Sequence, residues 1–376
     1  MEAAYCRTTG SEFRSTLQEF DADPAVEGLL VLATPDDAFT PATIDETLRE
    51  LSTPVFGGLF PNVIYEGEAH ADGAIVAGLA VRPAVETITD VDDPISTGGG
   101  PIATTGDDPI TTTDANDYET AFVFVDAFAD DGDRFVQQLF NAYGVEYTYI
   151  GGGAGTLDGD TRHCLFTNDG LVGDAAVVAR ITAGSTIGVE HGWTDIGGPF
   201  EITAADGRRL ETLDGQPAYD RYAAIIDAET DRTVTKTNFF EVAKSHPFGI
   251  SRLGAERIVR DPFEVDDDDG SLRCFGALPE GEFVHVLQGD TESLVAAADR
   301  AHAAASEGAS TDSALITFDC VSRGQYLESA FDRELAALSQ RGSTIGALTI
   351  GEVANDGRGH LEYYNKTAVV GAIDGL

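Results

Sequence analysis

The sequence predicts a mixed α/β fold of the α+β class, with repeated strand–helix–strand–strand units that form mixed sheets flanked by helices in two domains. Short apolar runs rich in Val and Ile, bounded by Gly, Asp or Pro, are typical of strands. Sliding the chain against itself aligns three sets of these runs in the same order, which indicates an internal repeat. A length of 376 residues is that of two domains of ordinary size.

Each copy of the repeat has an opening strand, a helix, a glycine-containing strand and a closing strand. The opening strands are predicted at residues 28–33, 121–126 and 314–319, and the helices at 41–51, 133–143 and 327–338. The glycine-containing strands are predicted at 54–58, 149–153 and 345–351, and the closing strands at 74–80, 174–181 and 367–373. Apolar residues recur at three- to four-residue spacing in the second and third helices, which predicts one face packed against a sheet.

Residues outside the copies define the predicted domains. A strand at 282–287 and a helix at 293–305 precede the third copy. Residues 83–117 lack aromatic residues and are rich in Thr, Gly, Asp and Pro, which predicts a mobile insertion, with an extended surface hairpin as the alternative. We expect one domain over residues 1–226 and a second over residues 235–376.

The charge indicates the solvent in which the chain works. The sequence has 65 acidic and 23 basic residues, a formal net charge of −42 and only three lysines, Lys236, Lys244 and Lys366. Such self-repulsion destabilises a compact state at low salt, but at molar salt the screening length falls to roughly 3 Å. The composition therefore predicts a halophilic protein. Nucleic acid and anionic membrane surfaces are poor partners for so acidic a chain, because both bind basic patches; neither is expected as a partner.

The chain is expected to be cytoplasmic. It has no apolar run of membrane-spanning length, and its N-terminus lacks the basic and apolar regions of a signal peptide. The four cysteines stand far apart with no Cys-x-x-Cys pair, which fits a reducing compartment. The seven histidines show no metal-ligand spacing, so neither a metal nor a cofactor is expected.

Two segments at predicted strand ends are candidate sites. One segment is the glycine run that starts with Gly151, Gly152 and Gly153. It lacks the lysine of a phosphate-binding loop, so we interpret it as a strand end that another backbone segment or a small ligand approaches closely. Cys320 and Arg323 follow the third opening strand, where sites of α/β proteins collect. Cys320 is interpreted as a buried structural cysteine, and Arg323 as a fork that grips either a ligand carboxylate or an internal one.

The sequence resembles the FIST sensory family, of the haloarchaeal type, over residues 28–373. Among the matching segments are Gly-Val-Glu-His-Gly-Trp at 188–193, Phe-Asp-Cys-Val-Ser-Arg-Gly at 318–324 and Tyr-Asn-Lys-Thr at 364–367. Further matches occur, in family order, at 150–153, 168–178, 200–203, 213–218, 245–249, 258–261, 278–282 and 350–352. No single segment is specific, but their order along the chain is.

The resemblance implies a sensory module that binds a small molecule, with amino acids as candidates, and passes this state to a separate signalling protein such as a kinase or transducer. We predict a pocket at strand ends near the junction of the two parts, formed by Arg323, Glu352 and Asn365 beside the three glycines. Arg323 would pair a ligand carboxylate, and Glu352 an ammonium group. We therefore predict that the protein is not an enzyme. The alternatives are a cysteine-dependent enzyme that uses Cys320 and a non-catalytic interaction scaffold.

The charge generates the first testable prediction. Because the acidic surface is self-repulsive at low salt, the melting temperature should rise steeply as potassium chloride is raised from millimolar to molar concentrations. Differential scanning calorimetry across a salt series measures this dependence. A melting temperature that stays flat over the series would contradict the halophilic interpretation.

Overall fold

The structure, a computed structural model, describes residues 1–7, 10–89, 118–129, 132–145, 147–157, 163–251, 257–310, 312–340, 344–355 and 359–376. Its architecture is mixed α/β with several mixed sheets and helices packed against them, which confirms the predicted fold class. Within these ranges, no helix combines the length and the apolar character needed to cross a bilayer.

The first repeat contains β1 (Glu2–Cys6), α1 (Ser11–Ala22), β2 (Gly28–Ala33), α2 (Pro41–Glu50), β3 (Val55–Leu59), β4 (Asn62–Tyr65), β5 (Glu68–His70) and β6 (Ala74–Leu79). The second contains β7 (Ala84–Ile88), β8 (Thr120–Asp126), α3 (Gly132–Tyr143), β9 (Thr148–Ala154), β10 (Leu165–Thr167), β11 (Gly170–Val172) and β12 (Ala176–Ile181). The predicted opening, glycine-containing and closing strands all form, because each is a continuous apolar run buried on both faces.

The third repeat begins with β13 (Ser185–Glu190) and is then interrupted by a second unit. This unit contains β14 (Thr194–Asp206), β15 (Arg209–Leu213), β16 (Gln216–Pro217), α4 (Ala218–Glu229), α5 (Phe239–Ala243), β17 (Phe248–Ile250), β18 (Ile258–Val265), β19 (Leu272–Phe275) and β20 (Phe283–Gln288). Its sheet runs β14-β20-β17-β18-β19-β15-β16, and β14 also pairs with β15, so the strands close into a barrel with its own apolar core.

The third repeat resumes with α6 (Thr291–Ser306), β21 (Ala314–Cys320), α7 (Val321–Leu327), α8 (Phe331–Leu338), β22 (Thr344–Thr349), β23 (Glu352–Ala354), β24 (Glu362–Tyr364) and β25 (Ala368–Ile373). The single helix predicted at 327–338 is therefore wrong at its start. The α7 helix ends at Leu327, and Glu328 adopts a φ of +49°, which breaks the helix before α8.

The three repeats are interlocked by exchange of their hairpins. The sheets run β1-β6-β2-β3-β10-β11, then β7-β12-β8-β9-β23-β24, and β13-β25-β21-β22-β4-β5. In each sheet the last two strands are a hairpin contributed by another repeat, in cyclic order. No repeat can therefore complete its sheet alone. The aromatic rings of Phe60, Phe124 and Phe318, one from each repeat, meet in the shared core.

Two predicted features of chain organisation need comment. The predicted insertion over residues 83–117 is wrong for Ala84–Ile88, which pairs with β12 as an edge strand. Residues 90–117 lie outside the described residues. The domain boundary near 226–235 stays a prediction, although strand pairing such as β13 with β25 joins residues on its two sides.

The glycine-containing strands owe their glycines to close backbone approach. Gly57, Gly151 and Gly346 lie opposite Val31, Val123 and Thr317 of the neighbouring parallel strands. At all three positions a Cβ atom would overlap the carbonyl oxygen of that partner. The same residue type is thus required at the same position of every repeat.

This packing predicts that Gly346→Ala destabilises the protein by about 3 kcal/mol, because the new methyl group meets backbone that cannot rotate away. Urea unfolding in molar potassium chloride measures the change. Gly324→Ala is the matched control, since its Cβ would meet nothing closer than 3.6 Å, and alanine favours the α7 helix. Equal stability of the two variants would contradict the close-packing argument.

Candidate ligand-binding site

A cavity of about 260 Å³ lies between the barrel and the carboxyl ends of β21 and β22. Its lining comes from the second repeat, the third repeat and the barrel unit together. The lining residues are Phe128, Leu157, Phe240, Lys244, Asp261, Phe263, Phe275, Cys320, Val321, Ser322, Gln325, Ile350, Gly351, Asn365 and Lys366. The cavity thus lies at strand ends beside the junction where the sequence places the pocket.

Polar groups of the third repeat line one part of the cavity. Cys320 ends β21, and its Sγ lies 3.1 Å from the Ser322 Oγ in the first turn of α7. Asn365 precedes β25 and is only 4% exposed. Among the described residues, the Asn365 Oδ1 has no hydrogen-bond partner.

Apolar rings line another part of the cavity. Phe263 and Phe275 of the barrel pack with their ring centroids 4.4 Å apart. Leu157, Phe240 and Phe275 are 55%, 48% and 36% exposed, which is unusual for large apolar side chains in one place. The cavity therefore offers both hydrogen-bonding groups and an apolar surface to an occupant.

Lys366 joins the elements around the cavity. Its Nζ donates to the carbonyl of Lys244 at 3.1 Å and pairs with the Asp261 carboxylate at 3.1 Å. Its own carbonyl accepts hydrogen bonds from Trp193 Nε1 and from Arg323 Nη1, both at 3.1 Å. Burial raises the pKa of Asp261 even though the Lys366 ammonium lowers it.

The structure corrects the prediction that Arg323 pairs a ligand carboxylate. Arg323 is fully buried, does not line the cavity, and donates from Nε to Glu334 at 2.7 Å. Its Nη1 and Nη2 groups donate to the carbonyls of His191, Lys366 and Leu294. Of the two predicted partners of Arg323, a ligand carboxylate or an internal one, the structure shows the internal one, because internal acceptors surround the guanidinium.

Arg323 is buried with two carboxylates. The Asp319 Oδ1 lies 3.2 Å from Arg323 Nε, which also pairs with Glu334. Burial and the neighbouring Glu334 carboxylate raise the pKa of Asp319 well above its usual value. The Arg323 guanidinium is the cation that contacts both of these carboxyl groups.

Glu352 is also internal. It is fully buried behind the cavity lining, and its Oε1 accepts from Thr349 Oγ1 at 2.8 Å. Burial raises the pKa of Glu352 well above its usual value. Glu352 does not line the cavity, so from this position it does not form the predicted ion pair with a ligand ammonium there.

The three glycines of β9 serve backbone packing and do not line the cavity. A Cβ at Gly151 would overlap the Val123 carbonyl, and one at Gly153 would overlap the Ile350 carbonyl. A Cβ at Gly152 would meet Thr349. Of the two predicted reasons for the glycine run, close approach of backbone is the one that the structure supports.

Cys320 is present in the cavity as a thiol. Burial, followed by the Glu352 carboxyl group, raises the pKa of Cys320 to about 12, so almost no thiolate exists at neutral pH. The register places Asp126 of the second repeat at the equivalent strand end. There Asp126 accepts from the backbone N–H of Asp174, as Cys320 does from that of Lys366. This shared contact supports the structural interpretation of Cys320.

A larger cavity of about 700 Å³ lies at the strand ends of the first and second repeats, with Asp36, Asp37, Asp126 and Asp174 in its lining. Asp126 accepts backbone hydrogen bonds from Phe128 and Asp174, so its carboxylate is already engaged. Among the described residues, no cluster of three or more His, Cys, Asp or Glu side chains could hold a metal ion.

Sequence reasoning missed the residues that shape the cavity from the barrel side. Asp261, Phe263 and Phe275 lie on β18 and β19, whose pairing is not visible in the sequence. Lys366 could have been found, because it is one of three lysines in a chain that otherwise uses arginine, and it lies in a family-like segment.

The internal role of Arg323 generates a prediction. Arg323→Ala leaves two buried carboxyl groups without their cation and should lower the free energy of unfolding by about 3–5 kcal/mol. Denaturant unfolding in molar potassium chloride measures this change. Arg333→Ala is the matched control, because Arg333 pairs with Glu292 on the surface and its loss should change stability little. An Arg323 variant as stable as the control would contradict the internal role.

Family models match almost the whole chain. The FIST N domain model matches residues 27–216, and the FIST C domain model matches residues 218–355. No curated protein matches the chain. Segments from both domains meet at Lys366, which contacts Trp193, Arg323 and Asp261. The chain therefore belongs to the FIST family of sensory signal-transduction domains.

Proposed function

We propose that the protein is a cytoplasmic sensor in signal transduction and that its small ligand binds in the 260 Å³ cavity. The observation that carries the proposal is the lining, which combines residues of the FIST N match with residues of the FIST C match. A ligand in this position would contact both domains. Ligand binding would then shift the population toward the domain arrangement that binds the ligand more tightly.

The ligand class that we propose is an amino acid with an apolar side chain. The cavity has room for about nine waters at roughly 30 Å³ each, so it suits a small metabolite. Lys244 could receive the ligand carboxylate, because its present partner Glu241 is 70% exposed and such surface pairs are weak. The rings of Phe263 and Phe275 would pack against the apolar side chain.

The working environment that we propose is the salt-rich cytoplasm of a haloarchaeal cell. The net charge of −42 suits molar salt and makes association with nucleic acid unfavourable. A separate kinase or transducer would receive the signal. Catalysis by Cys320 is disfavoured, since the raised pKa of its thiol leaves almost no nucleophile at neutral pH.

The test is calorimetric titration of the protein with a panel of amino acids in molar potassium chloride. We expect aromatic and branched apolar amino acids to bind, and acidic ones not to bind. Ser322→Trp fills the cavity and should abolish binding, whereas Ser15→Trp, on the exposed surface of α1, should leave it unchanged. Absence of binding for the whole panel would refute the amino-acid proposal, and equal binding by Ser322→Trp would place the ligand elsewhere.

A further inference from the structure

One residue of the cavity lining, Asn365, carries a buried acceptor that no described residue satisfies. Among the unpartnered buried polar atoms of the described residues, the Asn365 Oδ1 is the one whose residue lines the cavity. Asn365 is 4% exposed. Leaving a buried carbonyl oxygen without a donor costs folding free energy, so an apolar side chain at this position would make the empty protein more stable.

The backbone around Asn365 is held in place. The Asn365 carbonyl accepts from the Thr367 Oγ1 at 2.8 Å. The next residue, Lys366, has a φ of +51° and is fixed by Asp261, Lys244 and Trp193. The backbone that carries the Asn365 side chain is therefore fixed before any ligand arrives, which reduces the entropy lost on binding.

We propose that Asn365 selects the ligand by accepting a hydrogen bond from its N–H or O–H group, and that the Phe263–Phe275 ring pair packs against its apolar body. This inference rests on the proposed function and deepens it. For an apolar amino acid the donor is the ammonium group. A carbonyl acceptor suits an ammonium here, because the strongly negative field of the chain also attracts cations.

The neighbouring polar groups support this assignment to Asn365. The Asp261 carboxylate is paired with Lys366, and the Ser322 hydroxyl lies at hydrogen-bond distance from the Cys320 thiol. Both groups therefore already have an internal partner, which weakens the net gain from a further donor. The Asn365 Oδ1 has none among the described residues, so a ligand donor there satisfies an otherwise unpaired acceptor.

The test compares two probes that differ in the donor. L-Phenylalanine carries the ammonium group, and 3-phenylpropionate has the same ring and carboxylate without it. Calorimetric titration in molar potassium chloride measures both dissociation constants for the wild type, Asn365→Leu and Asn365→Asp. Leucine removes the acceptor while keeping the size of the side chain, and aspartate keeps an acceptor oxygen in the same place.

We expect the wild type and Asn365→Asp to bind L-phenylalanine at least about tenfold more tightly than 3-phenylpropionate. Asn365→Leu should lose at least about tenfold in affinity for L-phenylalanine and none for 3-phenylpropionate, and its melting temperature should not fall. An Asn365→Leu variant that binds L-phenylalanine as the wild type does would overturn the inference while leaving the proposed function intact. Failure of the wild type to bind either probe would overturn both.

The ring pair is tested in the same titration. Phe275→Ala should lower the affinity for both probes by a similar factor, because both carry the same phenyl ring. Phe283→Ala is the matched control, since Phe283 is 47% exposed on β20 of the barrel and does not line the cavity. Unchanged binding by Phe275→Ala would contradict the role of the ring pair. The inference would then be limited to the hydrogen bond accepted by Asn365, as tested by Asn365→Leu.

Discussion

The buried ammonium of Lys366 is the group on which the arrangement of the site depends. It pairs with Asp261 of the barrel, donates to the chain just after α5, and lies 5.4 Å from the centre of the Trp193 ring. A lysine buried this deeply is costly unless its charge is paired and its donors are used. Meeting these requirements fixes the barrel against the three interlocked repeats, and the cavity is the space that remains between them.

The strands of the repeat could be predicted from the sequence, but their exchange could not. Runs such as Gly28–Ala33 and Ala314–Cys320 are apolar throughout, so period and composition identify them. The exchanged hairpins have strands of only three or four residues, such as Glu352–Ala354 and Asn62–Tyr65, with no periodic pattern. Their partners lie hundreds of residues away or in another repeat, and single-chain patterning carries no information about such pairing.

The internal partners of the predicted site residues could be predicted from the sequence only in part. The sequence predicted that Arg323 grips a carboxylate, either a ligand's or an internal one, and the predicted pocket assigned it to a ligand, whereas Arg323 pairs with the internal Glu334. A signal was present, because Glu334 falls between Phe331 and Leu338 on the apolar face of the predicted helix. An acidic residue on a core-facing stripe needs a buried cation, and Arg323 supplies it. Asn365 was predicted in the pocket from its family-like segment; it lines the cavity, and its role in ligand binding stays a prediction.

The repeat also explains why this cavity forms where it does. All three repeats end their opening strands at one edge of their sheets, with Thr34, Asp126 and Cys320 at equivalent positions. At the first two of these strand ends the side chains form local hydrogen bonds: Thr34 donates to the Gly73 carbonyl, and Asp126 accepts from the Asp174 N–H. Only the third repeat carries the inserted barrel, whose Phe263 and Asp261 close over Cys320 and Asn365. Because the insertion breaks the symmetry at the third strand end, the cavity there is lined by polar groups of the repeat together with aromatic rings of the barrel.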